Sequence, residues 1–267
     1  MFKSDYHTHT YFSYDGEGIL DEMCEKAIHE GLDELAVTDH LDIWSHHPCN
    51  YILDIDRSYP AIRAAKEKYA GRLRVVIGAE LGQPMVNPPA AEDFLRRIPD
   101  LDFVIGSIHN MENDLDVYYY NWKKHDPEAT YDHYLDWLTD YAENYDYDVL
   151  GHLTYPLRYM AKAGITLDLR PFYKKFENLF KIVIRRGKGI ELNVSGLRQE
   201  MNTTMPTPEI IRLYHDCGGQ ILTIGSDAHL AEDVGSHIDD GIRIARDCGF
   251  TAIASYHRRV PELHSII

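Results

Sequence analysis

Cysteine is scarce and scattered. Cys24, Cys49, Cys217 and Cys248 stand far apart with no C-x-x-C spacing, which excludes a zinc knuckle and offers no disulfide framework. They read as reduced thiols that fill space. Positive charge is also short: 27 Lys and Arg face 43 Asp and Glu, a formal charge of −16, so the basic surface required by long nucleic acid or an anionic membrane is missing. No apolar run approaches the roughly 18 residues of a membrane span. Met1 to Thr10 lacks the basic start and apolar stretch of a signal peptide. These absences predict a cytoplasmic chain that binds neither nucleic acid nor membrane. Gly/Ser linkers, charge blocks, low-complexity tracts and repeats of fixed period are lacking too, so the 267 residues are expected to form a single domain.

What is present begins with an ordinary globular composition, 44% hydrophobic and 26% charged, and an unusual 15 histidines. Short apolar runs recur near residues 2–6, 34–38, 73–79, 102–107, 147–151, 189–194, 220–225 and 251–255. Segments of helical spacing separate them. Between the first two runs, Ile19, Leu20, Met23, Cys24, Ala27 and Ile28 share a helical face, and Gly31 suits the position just past the helix end. Tyr131 to Tyr145 is a second helical stretch, and Pro206, Thr207 and Pro208 precede another. Strands alternating with helices predict parallel β/α units, whose natural closure is a TIM-like barrel with its chemistry at the C-terminal ends of the strands.

Residues able to bind metal close six of those eight runs. The first leads into His7-Thr8-His9, with Asp15 six positions later; residues two apart on a strand face the same way, so both imidazoles can address one ion. The others end in Thr38-Asp39-His40, Gly78-Ala79-Glu80, Ser107-Ile108-His109, Gly151-His152 and Ser226-Asp227-Ala228-His229. A lone histidine at a strand end is usually a core residue. Independent ones at equivalent positions point to a metal cluster instead. His29, His125, His133, His215, His237, His257 and His264 match no such pattern and read as packing or surface residues. His46 and His47 lie in the loop after the second strand, where they would overhang the site and could touch substrate.

On these motifs the chain resembles the polymerase-and-histidinol-phosphatase (PHP) phosphoesterases. The segment Glu191-Leu192-Asn193-Val194-Ser195-Gly196-Leu197-Arg198 resembles the E-x-N-x-S-G-L-R stretch of their bacterial monofunctional phosphatase branch. The resemblance implies a distorted (β/α)7 TIM-like barrel with two to three divalent ions, zinc, manganese or iron, in its mouth. Carried over by motif, one ion falls to His7, His9, Glu80 and Asp227. A second falls to Glu80, His109 and His152, with Glu80 bridging, and a third to Asp15, His40 and His229. Asp15 stands where many relatives have histidine, so the third site is expected to be weaker or to prefer a harder ion such as manganese. Thr154 closes Gly151-His152-Leu153-Thr154 where relatives often carry Asp, a change in the surroundings of His152. Asp39 is expected to orient His40 rather than bind metal.

The implied reaction is hydrolysis of a phosphomonoester, L-histidinol phosphate in histidine biosynthesis, by a water activated between the ions. Arg158 and Arg198, each a few residues beyond a strand end, are the candidate phosphate contacts, because a guanidinium fork matches phosphate oxygens. Asp227, His229 or a metal-bound water would supply the proton for the leaving alkoxide. The alternatives are a phosphodiesterase, exonuclease or nucleotide phosphatase on the same metals, an amidohydrolase-type deacetylase, and a catalytically silent metal-binding protein. The apparently complete ligand set speaks against the last of these.

Overall fold

The computed structural model describes residues 1–44, 54–111 and 115–267. His46, His47 and Cys49 lie outside the described residues. The strands are β1 (Ser4–Asp5), β2 (Glu34–Val37), β3 (His40–Asp42), β4 (Arg74–Gly82) and β5 (Phe103–Ser107), then β6 (Val149–Leu150), β7 (Gly189–Asn193), β8 (Leu222–Gly225), β9 (Ala252–His257) and β10 (Val260–Ser265). The first seven apolar runs become seven parallel strands in the order β1-β2-β4-β5-β6-β7-β8. β3 is the second run resumed: the chain leaves the sheet at Thr38 and Asp39, then pairs with β4 again, His40 opposite Glu80 and Asp42 opposite Gly82. The ring closes between β8 and β1 by hydrogen bonds from Tyr6 N to Ile224 O, from Asp227 N to His7 O and from His9 N to Ala228 O, each of 2.8–2.9 Å. This is the expected distorted barrel of seven β/α units.

Helices α1 (Leu20–His29), α2 (Ile55–Lys68), α3 (Pro88–Arg97) and α4 (Pro127–Asn144) alternate with the strands, as do α5 (Tyr155–Lys162), α6 (Tyr173–Arg185), α7 (Pro208–Asp216) and α8 (Ile238–Asp247). α1 buries Leu20, Met23, Cys24 and Ala27, and Gly31 follows its end at φ +73°, as the apolar spacing predicts. α4 starts earlier than its aromatic stretch suggests. Asp126 caps it, accepting hydrogen bonds from the Glu128 and Ala129 amides, and Pro127 takes the first helical position.

The eighth run departs from the barrel pattern. β9 pairs antiparallel with β10 through a two-residue turn, Arg258-Arg259, both at positive φ. That hairpin closes the N-terminal end of the barrel. Ala254 and Tyr256 join Tyr6, Ala36, Val76, Phe103, Ile105 and Val149 in one buried apolar cluster. The Arg258 and Arg259 amides donate to Asp102, and the Arg259 guanidinium binds Asp148, contacts that hold a turn no glycine relaxes. With that end plugged, the described residues leave the opposite end of the barrel open to a ligand.

Candidate metal centre

At the C-terminal end of the barrel, Glu80 occupies the middle of a ring of imidazoles. Its Oε1 accepts from Ser107 Oγ at 2.6 Å and lies 2.9 Å from His152 Nε2 and 3.2 Å from His109 Nε2. Its Oε2 lies 2.9 Å from His40 Nδ1, 3.3 Å from His7 Nε2 and 3.5 Å from His9 Nε2. Asp227 Oδ1 sits 3.7 Å from His7 Nε2, 3.5 Å from His9 Nε2 and 3.6 Å from His229 Nδ1. Asp15 reaches both His40 and His229, at 3.5 and 3.4 Å. All nine residues expected as ligands therefore meet in one network, drawn from strands that are far apart in the chain.

The imidazoles are oriented from behind. His7 Nδ1 donates to Glu191 at 2.7 Å, His109 Nδ1 to Asp42 at 3.0 Å, His229 Nδ1 to the Asp227 carbonyl at 3.0 Å and His9 Nδ1 to Ser13 Oγ at 3.3 Å. Each bond leaves an Nε2 lone pair turned toward the cluster, the tautomer a metal ligand needs. Gly225 makes room for the first of these pairs, since a Cβ there would stand 2.4 Å from both Glu191 Oε1 and His7 Cβ. Asp39 reaches the histidines through Ser13: its carboxylate accepts from Thr10 and from Ser13 Oγ, which in turn accepts the His40 amide at 3.2 Å and faces His9 Nδ1 at 3.3 Å. His152 is held instead by its backbone, which donates to Glu191 Oε2 at 2.8 Å, and its Nδ1 has no partner. Among the described residues, no acceptor meets that nitrogen.

Burial and charge together say what the cluster awaits. His7 Nε2 and His9 Nε2 are buried with no hydrogen-bond partner, and His40 Nδ1 and Glu80 Oε2, though 2.9 Å apart, do not meet in hydrogen-bond geometry. Such atoms are costly to leave unmet, and four at one point constitute a coordination shell in search of a cation. Burial opposes charge on Glu80 and Asp227, yet the histidines around them hold both carboxyls well below the ordinary range. Burial also opposes protonation of His7 and His40, but the surrounding carboxylates outweigh it and raise both well above the usual imidazole value. A divalent ion bound there would replace those protons in the same field. Four three-residue groups among the described residues are spaced for one ion: His7, Glu80 and His152; His7, His9 and Asp227; His9, His40 and His229; and His40, Asp42 and His109.

A cavity of about 790 Å³ opens over the cluster. Arg158 and Arg198 both line it. Arg158 lies 3.7 Å from Asp227 Oδ2 and stacks over Tyr159, while Arg198 donates to the Ser226 carbonyl at 2.9 Å and keeps a buried Nη1 without a partner. The histidines assigned to packing stay away from the cavity wall. Two acids escaped the reading of strand ends. Asp42 follows His40 by two residues on β3, so the alternation that pairs His7 with His9 would have found it. Glu191 lies inside β7, within the family-like segment, and needed the closed barrel to bring it to His7.

A parallel barrel with a buried, multi-imidazole and carboxylate cluster at its C-terminal mouth defines the class of metal-dependent hydrolase barrels. The PHP domain model matches residues 5–195, and the chain belongs to that family. It is 27% identical to "Histidinol-phosphatase" of Lactococcus lactis, over 96% of this chain and 95% of that protein. It is 28% identical to "Probable histidinol-phosphatase" of Deinococcus radiodurans, over 96% and 97%. Its fold matches the crystal structure of the L. lactis histidinol phosphate phosphatase complexed with zinc, L-histidinol and phosphate, with a TM-score of 0.86, 22% identity and coverage of 97% of this chain and 98% of that one.

Proposed function

We propose that the chain hydrolyses L-histidinol phosphate to L-histidinol and phosphate, as a cytoplasmic enzyme of histidine biosynthesis whose whole length works as one phosphoesterase domain. The reading rests on the placement of Glu80, whose two carboxylate oxygens face two different groups of imidazoles and so suit a bridge between ions. It is supported by the near full-length similarity to the histidinol-phosphatases of L. lactis and D. radiodurans. His7, His9, Glu80 and Asp227 would hold one ion, Glu80, His109 and His152 a second, and Asp15, His40 and His229 a third, with zinc, manganese or iron as the metals. Bound there, divalent ions neutralise phosphate charge and make water nucleophilic near neutral pH.

The protein's own residues do the rest. Arg158 and Arg198 bring guanidinium groups to the cavity, where the buried, partnerless Nη1 of Arg198 is free to bind a phosphate oxygen. Water adds to phosphorus as the P–O bond to the alcohol breaks; Asp227 or His229, which line the same cavity, takes the proton the water gives up and passes it to the leaving alkoxide. The rest of the wall suits a cationic, aromatic alcohol. Tyr14, Tyr118, Tyr155 and Tyr159 present rings, and Asp116 accepts from the Tyr118 amide and the Tyr155 hydroxyl but has no cationic partner within salt-bridge distance among the described residues.

The test is phosphate release from purified protein, stripped with chelator and reconstituted separately with zinc, manganese or iron. Histidinol phosphate is compared with a simple phosphodiester and a nucleoside 3′,5′-bisphosphate. Preference for histidinol phosphate is expected. A preference for the diester or the bisphosphate would move the chain to another activity on the same metals.

A further inference from the structure

Gln83 is a buried residue directly after β4 with a left-handed backbone, φ 35°, a conformation an L-residue adopts only where its surroundings impose it. What imposes it is visible. The Gln83 amide donates to the Ser107 carbonyl at 3.0 Å, and both ends of its side chain are used: Oε1 accepts from the His109 backbone N–H at 3.0 Å, and Nε2 donates to Asp42 Oδ1 at 3.2 Å. Asp42 Oδ1 also accepts from His109 Nδ1 at 3.0 Å. Backbone and ring of one histidine are thus gripped by two residues that also grip each other. Asp42 can lean across β4 because its cross-strand partner is Gly82; a Cβ at Gly82 would stand 1.7 Å from Asp42 Oδ1.

From this geometry we infer that Asp42 and Gln83 are positioning residues that clamp His109 and thereby set the affinity of the ion His109 helps to hold, with Gly82 as the space that admits the clamp. The inference rests on the metal reading above and deepens it. Asp42 stands within reach of an ion shared with His40 and His109, but its Oδ1 is already taken by His109 Nδ1 and Gln83 Nε2, so it acts through the ring. Asp42 fixes the proton on Nδ1 and turns Nε2 toward Glu80, and Gln83 fixes the height of the ring above the sheet.

The full-length protein, stripped with chelator and titrated with Zn²⁺ alone, gives the test, with bound zinc counted after desalting and thermal melting followed in parallel. Asp42→Asn and Gly82→Ala are compared with wild type and with His109→Ala. Gly82→Ala removes no donor or acceptor and displaces only the Asp42 carboxylate, so it answers the question even if Asp42→Asn does not fold. Both variants are expected to lose, at limiting zinc, the same ion that His109→Ala loses, with an affinity down about 10–100-fold, the scale for partners that orient a ligand. Excess zinc restores that ion in them but not in His109→Ala. Wild-type zinc affinity in the folded variants would overturn the inference, and so would a lowered melting temperature with unchanged zinc binding, which marks a purely structural role. A wild-type protein that takes up no zinc would instead overturn the metal reading beneath it.

Discussion

The two ends of the barrel are built from the same strands and treat polar atoms in opposite ways. At the N-terminal end the buried carboxylates are paired: Arg74 binds Glu34, Lys66 binds Asp102, and Arg259 binds Asp148. The Tyr6 hydroxyl donates to Glu34 and accepts the Tyr256 amide. Below it, Tyr6, Phe103 and Tyr256 pack ring to ring. At the C-terminal end, one and three residues along from Tyr6, the buried Nε2 atoms of His7 and His9 have no hydrogen-bond partner. One end is finished by folding, and the other is finished by a ligand. Stability and function therefore separate along the barrel axis, and perturbing each end in turn tests how fully they do so.

Metal removal should have the largest effect, because it acts only on the unfinished end. Chelation is expected to abolish turnover and to lower stability by about 4 kcal/mol if the ions stand at ~1,000 times their dissociation constant. Calorimetry with and without chelator, followed by metal return, reads this directly. An unchanged melting temperature would mean that the open atoms at the mouth are not completed by metal.

Next comes Glu80→Gln, which keeps shape and removes the charge at the centre. It should lower kcat/KM for histidinol phosphate by more than about 100-fold, beyond the usual range for residues that merely orient a ligand. It should also reduce bound metal per chain. Near-normal turnover in metal-replete protein would remove Glu80 from the bridging role.

Arg198→Ala tests whether the cavity wall adds to what the ions supply. The variant should keep its metal and lose roughly 2–3 kcal/mol in kcat/KM, the scale of hydrogen bonds to charged groups. Arg198→Lys should recover only part of this, since an ammonium cannot reproduce the fork. Equal kinetics in wild type and Arg198→Ala would return the residue to a structural role, holding the Ser226 carbonyl and Asp233.

The smallest effect belongs to the finished end. Tyr6→Phe removes one hydroxyl that both accepts and donates, and should cost about 1–2 kcal/mol of stability in denaturant unfolding. Bound metal and kcat/KM should not change, even though His7 is the next residue. Loss of metal in this variant would show that the two ends are coupled through β1 and that the comparison is too sharp.

Sequence alone determined the elements and most of the chemistry, because both rest on local periodicity. Apolar runs separated by helical spacing point to strands and helices in alternation, and the spacing of His7 and His9 points both imidazoles at one site. The motifs at the strand ends identified the residues that meet at the mouth, since parallel strands of one barrel bring their C-terminal ends together. What it could not determine is whatever depends on closure and on contacts between distant segments. The eighth run has the composition of any other strand, and only the filled interior of a barrel already closed by seven turns it into a plug, with Ala254 and Tyr256 completing that cluster. Glu191 becomes the partner of His7 across 184 positions, and Asp42 the partner of His109 across 67, through strand order and register. A side chain's identity is written locally, but its hydrogen-bond partner is set by which strands are neighbours, and that is decided by the packing of the whole ring.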